Sequence, residues 1–117
     1  MSIGDSETFE VEVKRLDGIT IIRPMGEIDL SHSPTLRIHL REAYKSKPSR
    51  LIIDLGAVPY MDSSGVAILV EAMKNTNTNG GKLILCDLQV KVRSIFEIAR
   101  LDTVFVIAKN PDDAMMK

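Results

Sequence analysis

The sequence predicts an α/β fold in which helices pack on a mixed β-sheet, and three observations carry that reading. Two segments of strand period are joined by Asp17-Gly18, a dipeptide that favours tight turns, so the chain opens with an antiparallel hairpin. Leu51-Ile52-Ile53-Asp54-Leu55 is short, mostly apolar and flanked by Pro48 and Gly56, which describes a strand buried on both faces near the middle of a sheet. From Leu51 onward, strand and helix patterns alternate, and connections of that kind imply parallel neighbours with right-handed crossovers.

In the hairpin, Phe9, Val11 and Val13 alternate with Glu10, Glu12 and Lys14, and the turn leads into Ile19-Thr20-Ile21-Ile22. Beyond Pro24 and Gly26 comes Glu27-Ile28-Asp29, and then Ser33-Pro34, a serine suited to an N-cap before a proline suited to the first helical position. Leu36, Leu40, Ala43 and Tyr44 share one face of a helix expected to run to about Lys47 and to end before Pro48. Asp62-Ser63-Ser64-Gly65 opens a second helix whose stripe is Val66, Leu69, Val70 and Met73, and which is expected to dissolve into the polar run at 75–81. Lys82 to Cys86 reads as a strand, and Val92, Ile95, Phe96 and Ala99 as a helix face. Thr103 to Ile107 reads as the last strand, before a short tail helix opened by Asn110-Pro111.

Composition removes several function classes. At 117 residues the chain has room for one core and not for two, so a single domain over 1–117 is expected. The balance of 15 basic against 16 acidic residues, with no basic cluster, no Trp and only 4% aromatics, argues against nucleic acid as a partner. Neither a leader-like N-terminus nor a span of ~20 apolar residues is present, so a cytoplasmic protein without membrane contact is expected. Cys86 is the single cysteine; within Leu83-Ile84-Leu85-Cys86 it reads as a small buried hydrophobe in a reduced compartment, not a reactive thiol.

Enzymatic constellations do not assemble. Met61-Asp62-Ser63-Ser64-Gly65 lacks the glycine two residues before the serine that a nucleophile elbow needs. His32 and His39, seven residues apart, read as surface or packing residues, with no Cys, Asp or Glu at metal-ligand spacing. Asn79-Gly80-Gly81-Lys82 precedes a strand, so its amides do not converge with a helix dipole on an anion, and a plain turn is expected. Of the acids near strand ends, Glu27 and Asp54 are read as water-facing termini. No cofactor and no metal are expected. At the start of the second helix either Asp62 or Ser63 can accept bonds from the free first-turn amides, which by itself is a common structural role.

Taken in order, Gly26-Glu27-Ile28-Asp29, Leu51-Ile52-Ile53-Asp54-Leu55, Tyr60-Met61-Asp62-Ser63-Ser64-Gly65 and Gly80-Gly81-Lys82-Leu83 resemble the STAS family of anti-sigma factor antagonists. The resemblance covers essentially the whole chain, and Asp-Ser-Ser-Gly after a hydrophobic strand is its most specific piece. It implies a mixed sheet with helices mainly on one side and a non-enzymatic partner-switching role. In that role the unphosphorylated protein binds a histidine-kinase-like serine kinase anti-sigma factor, phosphorylation releases it, and a PP2C-type phosphatase resets the switch. Carried onto this chain, it implies Ser63 as the phosphoacceptor, Asp62, Ser64 and Gly65 in the docking surface, Asp29 close by, and a monomer. Val66-Ala67 stands where the family often has Leu-Gly, and Leu30-Ser31 follows Asp29 where some members have a polar pair. Both departures bear on which kinase reads the site. The same fold also serves as a docking subunit of lipid-transport ATPase complexes, which is the competing expectation.

Overall fold

A computed structural model of the chain describes residues 9–117. The Met1–Asp5 start, read above for a leader, lies outside the described residues. Among the described residues five strands form one sheet in the order β1 (Glu10–Leu16), β2 (Ile19–Met25), β3 (Arg50–Asp54), β4 (Lys82–Cys86), β5 (Val106–Ala108). The β1–β2 hairpin is antiparallel and every later pair is parallel, because each later strand follows a helix: α1 (Ser33–Tyr44), α2 (Ser63–Thr78) and α3 (Val90–Ile98). The α/β reading and the central place of Leu51–Leu55 are borne out.

Strand alternation divides the interior in two. Ile22, Leu51, Ile53, Leu83 and Leu85 point to the face covered by α1, α2 and α3, where Leu36, Leu40, Leu69 and Phe96 are buried. Ile52, Ile84, Cys86 and Ala108 point to the other face, where among the described residues Ala114 and Met115 of the short α4 (Pro111–Met115) cover them. Helices therefore lie mainly on one side. Each large aliphatic side chain buried in this way contributes roughly 1.5–3 kcal/mol. Among the described residues no helix is long and apolar enough to cross a membrane.

Three boundaries differ from expectation. Helix α1 stops at Tyr44, because Lys47 takes a left-handed φ of 48° and turns the chain into Pro48. Helix α2 does not dissolve at Asn75 but runs to Thr78. Thr76 and Thr78 bond their hydroxyls to the carbonyls of Ala72 and Lys74 at 2.8 and 2.9 Å, which satisfies polar groups the sequence suggested would end the helix. The expected strand at Thr103–Ile107 is shifted. Leu101–Thr103 is a 3-10 turn, Arg100 before it is left-handed at φ 62°, and only Val106–Ala108 joins the sheet. Phe105 is drawn out of the ladder by packing edge-on to Phe96, with ring centroids 5.4 Å apart.

Gly81 answers a steric need. A Cβ there would clash with the Pro48 carbonyl oxygen, so the turn before β4 passes the start of β3 only without a side chain. Asn79–Lys82 is thus a turn, as read.

Candidate functional site

Two loops leave the same end of the sheet, one after β2 and one after β3, and they zip together. Pairing of β2 with β3 stops at Ile22–Ile53, and Pro24 beyond it has no amide to offer. The chain resumes contact in the loops: Gly26 N–H donates to Ala57 O at 3.0 Å, Ile28 N–H to Tyr60 O at 3.0 Å, and Asp62 N–H to Ile28 O at 3.1 Å. Ile28 and Met61 form an isolated parallel bridge, and both are fully buried. Segments 26–33 and 57–65 therefore make one platform on which Asp29, Asp62, Ser63, Ser64 and Gly65 all lie.

Gly65 lets helix α2 sit down on that platform. A Cβ at this position would come within 2.8 Å of Ile28 Cγ2 and 3.0 Å of the Ile28 carbonyl oxygen.

Asp62, not Ser63, is the N-cap of α2. Its Oδ1 accepts from Ser64 N–H at 2.9 Å, Ser64 Oγ–H at 2.5 Å and Gly65 N–H at 3.4 Å. The Ser64 hydroxyl, those two amides and the Leu30 amide of the neighbouring loop hold the Asp62 carboxyl below its ordinary value against the opposing effect of burial. Ser63 is the first helical residue; it is exposed, and its hydroxyl makes no hydrogen bond among the described residues.

Asp29 ties its own loop. Oδ1 accepts from Ser31 Oγ–H at 2.7 Å, Ser31 N–H at 3.0 Å and His32 N–H at 3.1 Å, and His32 Nδ1 lies 3.4 Å away. The Ser31 hydroxyl, with the His32 and Ser31 amides, draws the Asp29 carboxyl below the ordinary range. His32 also bonds the Glu27 carbonyl through Nδ1 at 2.8 Å and stacks on Phe9 at 4.7 Å, which agrees with a packing role. Glu27 itself is exposed, as expected.

Two residues differ from expectation, Ser33 on the platform and Asp54 at the end of β3. Ser33, expected to cap α1, lies inside the helix, and His32 stands at the cap position with no capping bond. Ser33 Oγ instead donates to Asp29 O at 2.7 Å and stands 2.7 Å from Ser64 Oγ. Nothing local in the sequence marks that pairing, since the partners are 31 positions apart. Asp54 is not a water-facing strand end: it is 7% exposed, accepts Gly56 N–H at 2.9 Å and faces Arg23 Nε at 3.6 Å.

Around Asp54, the acidic oxygens of Asp54 and Asp87 and the Cys86 sulfur lie within 4.8 Å of one another. Burial and the nearby carboxylates push the Cys86 thiol up to about 12, which fits an inert buried cysteine. Burial first, then the Asp54 carboxyl, raise the Asp87 carboxyl above its ordinary value. Beside the platform, α1 and α2 flank a shallow groove where Leu30 and Ile38 are 76% and 68% exposed, and where Glu71 pairs with Arg37 at 3.0 Å and Arg41 at 3.6 Å.

Comparison with known proteins agrees with this layout. Residues 10–114 match the STAS domain family. The chain is 33% identical over 109 residues to the anti-sigma-B factor antagonist of Listeria monocytogenes, covering 92% of this chain and 93% of that one. It is 26% identical over 108 residues to the anti-sigma F factor antagonist of Paenibacillus polymyxa, covering 92% of each. A crystal structure of an anti-sigma factor antagonist from Mycobacterium paratuberculosis superposes with a TM-score of 0.86 at 25% identity, covering 94% of this chain and 93% of that one. The chain belongs to the STAS domain family of anti-sigma factor antagonists.

Proposed function

We propose that this protein is a partner switch with no catalysis of its own, in which the phosphorylation state of Ser63 decides whether a serine-kinase anti-sigma factor is bound. The observation that carries the reading is the placement of the exposed Ser63 hydroxyl at the start of α2, on a platform that also carries two carboxylates, Asp29 and Asp62. The relatives named above are anti-sigma factor antagonists, which makes an anti-sigma factor the fitting partner class.

In the forward step Ser63 Oγ attacks the γ-phosphorus of ATP held by the kinase. The new O–P bond forms as the bond to the β,γ-bridging oxygen breaks, ADP departs, and the hydroxyl proton passes to a base of the kinase. Ser64 is the rival acceptor and has a carboxylate beside it, but that carboxylate is a weak base held below its ordinary range, and Ser64 is half-buried. Ser63 can enter a kinase cleft without breaking any bond to the described residues.

A phosphate on Ser63 adds about -1.5 to -2 charges at a helix N-terminus, where the dipole tolerates an anion, so the fold survives. The docking face does not. Asp29 and Asp62 are both favoured in their ionised forms, and like charges brought together in a surface that a partner must desolvate cost several kcal/mol. A loss of about 3 kcal/mol weakens binding more than a hundredfold. Hydrolysis of the phosphoserine by a PP2C-type phosphatase restores the binding form, and the switching unit is a monomer in the cytoplasm.

The test is a comparative pull-down from host lysate with wild-type, Ser63→Ala and Ser63→Asp baits, read by mass spectrometry. Retention of a histidine-kinase-like serine kinase by the first two and its loss from the third supports the switch. Equal retention of transporter ATPase subunits by all three replaces it with the transport-subunit reading.

A further inference from the structure

Four groups run in a line across the platform: the Asp62 carboxylate, Ser64 Oγ, Ser33 Oγ and the Asp29 carbonyl. The links are 2.5, 2.7 and 2.7 Å, all of hydrogen-bond length. Both ends are acceptors, and the two hydroxyls between them carry one proton each, so two protons serve three links. The ionised carboxylate is the strongest acceptor and takes the proton of Ser64. The Asp29 carbonyl already accepts the Ser33 and His32 amides at 2.8 and 3.1 Å. The Ser33 proton is therefore divided between that carbonyl and Ser64 Oγ. Ser33 is 4% exposed, so water does not compete for it.

From this geometry we infer that Ser33 is a positioning residue for the phosphoacceptor segment: with Asp62 it clamps the Ser64 hydroxyl from both sides and leaves Ser63 as the one of the two adjacent serines that is free to receive a phosphoryl group. The inference rests on the partner-switch reading, and it answers a question that reading leaves open. Asp62-Ser63-Ser64 offers a kinase two adjacent hydroxyls of the same chemistry. For Ser64 Oγ to attack ATP, its proton must leave Asp62 and its lone pair must turn away from Ser33. For Ser63 neither is required, and its step balances as written above, with ADP as the leaving group. The clamp also joins α1 to α2 at the platform, because Ser33 lies in the first turn of one helix and Ser64 in the first turn of the other.

The test uses wild-type, Ser33→Ala and Ser33→Thr proteins, incubated with ATP and the kinase captured by the wild-type bait, and the phosphate is located by peptide mapping. Wild type is expected to carry phosphate on Ser63. Ser33→Ala is expected to raise the ratio of Ser64 to Ser63 phosphate by about tenfold, the scale of one lost hydrogen bond. Ser33→Thr, which keeps the hydroxyl, is expected to restore the wild-type ratio. An unchanged ratio in Ser33→Ala overturns the inference while leaving Ser63 as the acceptor. A wild-type protein that takes no phosphate overturns the switch reading instead. Carbon-13 shifts of Ser64 Cβ and the Asp62 carboxyl provide a readout without kinase. They are expected to move in Ser33→Ala and return in Ser33→Thr, and shifts that do not move show that the clamp is absent.

Discussion

The Asp62 amide donates to the Ile28 carbonyl at 3.1 Å, and Gly65 packs on the same residue in the following turn. Ile28 thereby couples the loop after β2 to the start of α2, and the spacing between them leaves no room for a methyl group. Gly65→Ala should destabilise the fold by about 1–3 kcal/mol, the usual cost of an overpacked site, although alanine is the better helix former. Urea denaturation measures this. A gain in stability would show that the two loops yield freely and that the platform is not rigid.

Asp62 supplies the cap that the sequence left open between it and Ser63. Asp62→Ala should cost about 0.5–2 kcal/mol, Asp62→Asn much less, and Ser63→Ala almost nothing, since Asn caps well and Ser63 contributes no capping bond. The ranking is checked by midpoints of urea unfolding at constant slope.

Asp29 and Asp62 both sit below the ordinary carboxylate value of 3.8 in the folded state. The folded form binds their protons less tightly than the unfolded chain does. Their stabilisation is therefore fully present above about that pH and is lost as pH falls through the lower folded values. A thermal series from pH 5 to pH 2 should fall on its acid side, and Asp62→Asn should flatten that fall. Parallel acid limbs for the two proteins would contradict the assignment.

Asp87 behaves in the opposite sense. Its carboxyl is raised, so the folded state holds its proton more tightly, and stability declines as pH rises from 3.8 through the higher folded value. At neutral pH the residue is a liability. Asp87→Asn should raise stability at pH 7 by about 0.5–2 kcal/mol, the range typical of relieving such a conflict, and asparagine tolerates its φ of 57°. The gain should shrink toward pH 4 as Asp87 protonates. Equal gains at both pH values would point to backbone fit instead of charge.

What was legible in the sequence is what has a local period. The apolar stripe from Leu36 to Ala43 and the run Leu51–Leu55 each report burial on a repeating face, the alternation at Val11 and Val13 reports a strand although Val13 stays exposed, and the order of elements and the α/β class follow. Asp62-Ser63-Ser64-Gly65 was legible as a helix start and as a family signature for the same reason, since a cap and its first turn lie within four residues. Where tertiary packing competed with local preference, it won. Phe105 leaves the expected strand for Phe96, and Asn75–Thr78 stay helical because Thr76 is buried. The pairing of Ser33 with Ser64, the meeting of Asp54 with Asp87, and the choice of Asp62 over Ser63 as cap were decided only by the fold. Such contacts form between groups brought together by strand order and loop crossing, and a hydroxyl's partner across 31 residues leaves no periodic trace along the chain.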